Sequence, residues 1–88
     1  MRRFDSERRA ALRYPCVWSY RLIGPDRDAL REAIHTVLGE RAASVSVSNA
    51  SRTGRYVSVK VMARVESEEE RLAFYEALRA HSSVVVVI

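Results

Sequence analysis

The chain has 88 residues, 48% hydrophobic and 30% charged, with a net charge of +4. That composition reads as one small soluble domain with no room for a second core. The longest apolar run, Val84–Ile88, is far too short to span a membrane, and the N-terminus lacks the apolar region of a signal peptide. One cysteine closes no internal disulfide and builds no zinc site, so the chain reads as cytoplasmic.

The charge is unevenly placed. Residues 1–13 hold Arg2, Arg3, Arg8, Arg9 and Arg13 against Asp5 and Glu7, a net of +3 that leaves only +1 for the rest. This segment reads as a basic N-terminal tail, and residues 14–88 as the folded domain. The tail is either a frayed terminus or a basic arm for an acidic partner or nucleic acid. Its interleaved acids blunt the second reading.

The stretch Tyr14–Gly24 organises the domain. Its alternation puts Cys16, Trp18, Tyr20 and Leu22 on one face of a strand and Val17, Ser19, Arg21 and Ile23 on the other. The first face carries the large apolar mass and is assigned to the core; the second is assigned to solvent. Pro15 suits the start of a strand, and Gly24 its end. Pro25, Asp26 and Asp28 then fit a helix entry. Ala29, Leu30, Ala33, Ile34, Val37 and Leu38 form one apolar helical stripe, stopped at Gly39. His35 lies beside the stripe and reads as a solvated flank, since no second metal ligand sits one turn away.

Residues 44–48, Ser-Val-Ser-Val-Ser, predict a short strand with a polar face. Residues 55–65 predict the clearest strand of the chain: Val57, Val59, Val61, Ala63 and Val65 face one way, and Tyr56, Ser58, Lys60, Met62 and Arg64 the other. Asn49–Gly54 joins the two as a hairpin. Ser67 and Glu70 predict a capping box. The helix behind it presents Leu72, Tyr75 and Leu78 as its stripe, with Ala73, Phe74 and Ala77 at the margin. His81-Ser-Ser83 ends it, and Val84–Ile88 predicts a last strand. The order β-α-β-β-α-β, with two amphipathic helices, gives an α+β, ferredoxin-like two-layer sandwich. A four-stranded antiparallel sheet then carries both helices on one face, with the first and third strands central.

Several residues also resemble a known family. Tyr14-Pro15-Cys16, Trp18, Tyr20-Arg21 and Gly24 resemble the opening of the YbeD-like family of small bacterial proteins of unknown function. Ser51-x-x-Gly54-x-Tyr56-x-Ser58 resembles its hairpin motif, and Tyr75, Leu78 and the valine-rich end also fit. The chain departs at its C-terminal strand, where a basic residue is usual. The resemblance implies a ferredoxin-like sandwich similar to ACT-type regulatory domains that sense amino acids, and it implies no catalytic residue.

Nothing in the sequence assembles a catalytic or metal site. His35 and His81 fall on different elements, and no glycine-rich loop leads into a helix as a phosphate cradle. No cofactor, metal or enzymatic activity is expected. Cys16 reads as a small buried hydrophobe, with a redox role as the alternative. The expected function is that of a non-catalytic regulatory or interaction domain, sensing a small metabolite or binding a protein partner. The alternative is a nucleic-acid-binding module using the arginine tail and the open sheet face. That alternative is weakened because Tyr56 is the one aromatic assigned to the open face of the central strands. The candidate contact site is the hairpin: Ser51, Arg52, Thr53, Arg55 and Tyr56 gather hydroxyl and guanidinium donors suited to a carboxylate or phosphate. The uncharged block Val84–Ile88 is a second candidate, as the edge of a homodimer.

Overall fold

The computed structural model describes residues 13–49 and 54–88. Its elements run β1 (Cys16–Gly24), α1 (Arg27–Leu38), a single 3-10 turn (Gly39–Arg41), β2 (Ala42–Asn49), β3 (Val57–Val65), α2 (Glu68–Ala80) and β4 (Val86–Val87). The sheet order is β2-β3-β1-β4, every neighbouring pair antiparallel. This is the ferredoxin-like sandwich that the alternation and the two helical stripes demand. The basic tail lies outside the described residues except for Arg13.

The β1–β3 pair carries the core. Trp18 faces Ala63, Tyr20 faces Val61 and Leu22 faces Val59. Directly opposed residues share a face of the sheet, so one register places both apolar sets under the helices. Leu22, Val59, Val61, Ala63 and Val65 are sealed from solvent, and Leu30, Ala33, Ile34, Leu38 and Leu78 close over the same face of the sheet. The opposite face carries Val17, Ser19, Arg21, Lys60 and Arg64, all exposed. Ser58, buried on that face, is reached by Arg21 Nη1 at 3.3 Å. Trp18 and Tyr20 therefore pack on the helix side, as their alternation implies.

Both helices begin at side-chain caps. Asp26 is the N-cap of α1; its Oδ1 accepts from the amides of Asp28 at 3.0 Å and Ala29 at 3.4 Å. The helix thus starts two residues after Pro25 rather than on it. At α2, Ser67 Oγ accepts from the Glu70 amide at 3.1 Å. The reciprocal arm is shifted by one residue: Glu70 Oε1 accepts from the Glu66 amide at 2.7 Å rather than from that of Ser67.

Other details differ from the sequence reading, and the strand expected over residues 55–65 begins at Val57, with Arg55 and Tyr56 before it. On α2 the inward positions are Arg71, Phe74, Tyr75 and Leu78, while Leu72 is 47% exposed. The helix is rotated because the Arg71 guanidinium has a place to lie, over the Trp18 ring. Trp18 is half-buried rather than fully enclosed. The strand expected over 44–48 extends to Ala42–Asn49, with a bulge between Ala42 and Ser44. The last strand, expected over Val84–Ile88, contracts to Val86–Val87, although Ile88 still exchanges backbone bonds with Arg21 in both directions at 2.8 and 3.1 Å.

Candidate functional site

The hairpin candidates divide. Ser51, Arg52 and Thr53 lie outside the described residues. Arg55 and Tyr56 are exposed where the chain enters β3, just after Gly54, whose φ of 75° is a conformation glycine adopts freely. Tyr56 stands one residue before Val57, which β3 turns toward the helices, so its parity matches the open face. The structure thus positions two of the five hairpin residues at the end of the sheet where the central strand β3 begins.

A depression of about 210 Å³ lies at the opposite end of β2. Ile34 of α1, with Ala42 and Val45 of β2, supplies apolar wall; Arg31, His35 and Gly39 complete the rim. Arg31 and His35 are one helical turn apart, so both side chains project from the same flank of α1. Gly39, at φ 55°, ends the helix and opens the 3-10 turn that leads into β2. The volume corresponds to roughly seven water-sized groups, the scale of a small amino acid or carboxylic acid. The sequence signal for this place was the Arg31–His35 spacing.

The helix side of β1 holds a polar cluster at its other end. Arg71 lies with its guanidinium carbon 4.5 Å from the Trp18 ring centroid, and Nε donates to Tyr14 Oη at 3.0 Å. Its Nη2 stands 3.6 Å from Glu68. The Tyr20 hydroxyl, almost sealed from solvent, donates to the Arg71 carbonyl at 2.8 Å. Burial pushes the Tyr20 phenol up to about 12, the Arg71 charge opposing this in part. These contacts join α2 to β1. Cys16 is half-buried on the same face of β1.

A second ion pair clamps the loop ends. Arg41 Nη1 donates to Glu70 Oε1 at 2.5 Å and to the Arg64 carbonyl at 3.2 Å. The hydrogen bond from Arg41, with that from the Glu66 amide, holds the Glu70 carboxyl below the usual glutamate range. Among the described residues no group of three His, Cys, Asp or Glu side chains is placed to hold a metal ion. No helix among them is long and apolar enough to cross a membrane.

The fold and these surfaces define a small ferredoxin-like domain with an open sheet face and a shallow basic-rimmed depression. Residues 9–88 match the family described as protein of unknown function, DUF493, and the chain belongs to that family. It is 28% identical over 82 residues to the uncharacterized protein Cj0253 of Campylobacter jejuni, covering 93% of this chain and 94% of that one. It is likewise 28% identical over 89 residues to a UPF0250 protein of Hahella chejuensis, covering 96% and 98%. These relatives make the chain a small YbeD-like protein, as the opening and hairpin motifs imply. The solution structure of HP0495 from Helicobacter pylori superposes with a TM-score of 0.74 at 28% identity, over 89% of this chain and 86% of that one. The ACT domain of a GTP pyrophosphokinase from Chlorobium tepidum superposes with a TM-score of 0.63 at 15% identity, over 82% and 94%. That second likeness is one of fold.

Proposed function

We propose that the chain is a non-catalytic regulatory domain of the cytoplasm, whose ligand is a small carboxylate-bearing metabolite or the acidic group of a protein partner. The observation that carries this reading is the depression beside α1. Its apolar wall of Ile34, Ala42 and Val45 receives a short side chain, while Arg31 and His35 stand at the rim for an acid group. The fold shared with an ACT domain supports it by analogy of architecture alone. The hairpin residues Ser51, Arg52, Thr53, Arg55 and Tyr56 remain the alternative contact site for the same chemistry.

Thermal unfolding against a panel of amino acids, short carboxylic acids and inorganic phosphate tests the reading. A ligand present at 100 times its Kd stabilises the native state by about 2.7 kcal/mol, a rise of several degrees in melting temperature. Arg31→Ala abolishes that rise if the depression is the site, and a double Arg52→Ala, Arg55→Ala change abolishes it if the hairpin is. No rise with any member of the panel, together with no protein captured from cytosol by the intact chain, would refute the proposal.

A further inference from the structure

The outer edge of β2 is the least defended surface of the described domain. It is eight residues long, and no other described strand pairs with it. Its sequence, Ala-Ala-Ser-Val-Ser-Val-Ser-Asn, contains no charge, no proline and no glycine. Edges of this length are normally interrupted by such residues, because their backbone N–H and C=O groups template another strand. The bulge lies at the Ala42–Ser44 end, so residues 44–49 keep an unbroken register.

The side chains extend the same point. Val45 faces Val61 and Val47 faces Val59, so both valines belong to the helix side of the sheet. Val59 and Val61 are fully covered there, yet Val45 and Val47 remain 39% and 41% exposed. The helix layer stops short of β2. An apolar strip therefore runs along the edge, continuous with the depression beside Arg31 and His35 through their shared Val45.

We propose that β2 pairs antiparallel with β2 of a second copy of this chain, across a two-fold axis through Ser46. The strand pattern selects that occupant. About Ser46 the segment Ser44-Val-Ser-Val-Ser48 reads the same in both directions. Antiparallel pairing centred there sets Val45 opposite the partner's Val47, Ser44 opposite the partner's Ser48, and Ser46 opposite itself. Opposed residues then have the same parity, so both helix layers fall on one side of a continuous eight-stranded sheet. Such an interface is isologous and closes on itself. A strand without charge gives a charged partner nothing to recognise, and two copies meet along it without repulsion. The contact is small, roughly 1000 Å² in total, which is the low end for a specific interface and implies a dimer that dissociates on dilution.

Sedimentation equilibrium over a dilution series tests the pairing. Wild type is expected to shift between monomer and dimer mass. Val47→Lys, which sets a cation against the partner's Val45, removes the dimer. Ser46→Asp and Ser46→Lys each oppose like charges at the axis and weaken self-association about tenfold. Mixed in equal amounts they restore it as a heterodimer, a result that impaired folding cannot produce. Val86→Lys, on the other sheet edge, leaves the dimer intact. A wild type that stays monomeric throughout overturns the proposal. So does a failure of the Ser46→Asp and Ser46→Lys pair to recombine, or loss of the dimer in Val86→Lys, which would instead place the contact at Val84–Ile88.

Discussion

Replacing Tyr20 by Phe separates two consequences of one buried hydroxyl. At neutral pH the phenol is protonated and donates to the Arg71 carbonyl at 2.8 Å, from a side chain only 2% exposed. Losing that bond while keeping the ring costs about 1 kcal/mol. For a domain of this size that is a fall of about 4–8 °C in melting temperature. In alkali the sign reverses. The native phenol holds its proton to about 12, against 10.0 for an ordinary tyrosine, chiefly because burial disfavours the phenolate. A group whose native pKa is raised contributes stability that is complete below its unfolded pKa and is lost as pH rises through its native one. The loss therefore falls between pH 10 and 12 and reaches about 2–3 kcal/mol at full titration. Phe titrates nothing. Wild type should be the more stable at pH 8, and the difference should vanish and then invert through that window. Denaturant unfolding of both proteins at a series of pH values reads the difference directly. Parallel stability curves from pH 9 to 12 would refute the reasoning, by showing that the Tyr20 hydroxyl is solvated in the native state.

Trp18→Ala should cost about 2–4 kcal/mol, less than a fully enclosed tryptophan, because the ring is half-buried and covered in part by Arg71; urea unfolding checks this, and a native fluorescence maximum typical of full exposure would contradict the packing. Glu70→Gln should lower the melting temperature at pH 7. Because the Glu70 carboxyl is held low by Arg41, that deficit should disappear as pH falls through and below the usual glutamate range; a deficit equally large at pH 3 and pH 7 would rule out the ion pair as its cause. Gly24→Ala should destabilise by about 1–3 kcal/mol, since an added Cβ would stand 2.5 Å from the backbone carbonyl of Ser83. Thermal unfolding of that variant with no loss would mean that the 81–85 turn moves away freely.

The strands and helices were legible because each is written in a local period. Two-residue alternation in β1 and β3 assigns every side chain a face, and one register buries both sets, leaving few ways to stack them. The cap residue Ser67 and the stop at Gly39 are equally local, since each satisfies or ends its own helix's backbone bonds. The rotation of α2 was not legible. Leu72 and Arg71 are neighbours in sequence, and hydropathy alone assigns the leucine inward. The Trp18 ring and the Tyr14 hydroxyl, more than fifty residues away, make the arginine the better inward residue. The depression beside α1 is likewise a product of assembly: Arg31 and His35 reach it from the helix, and Ala42 and Val45 from the strand after it. The openness of the β2 edge has the same origin. Ser-Val-Ser-Val-Ser specifies a strand with one apolar face, but only the placement of the helices over β1 and β3 decides that Val45 and Val47 stay partly uncovered. Periodicity is a property of neighbours along the chain, whereas coverage depends on where the whole second layer comes to rest.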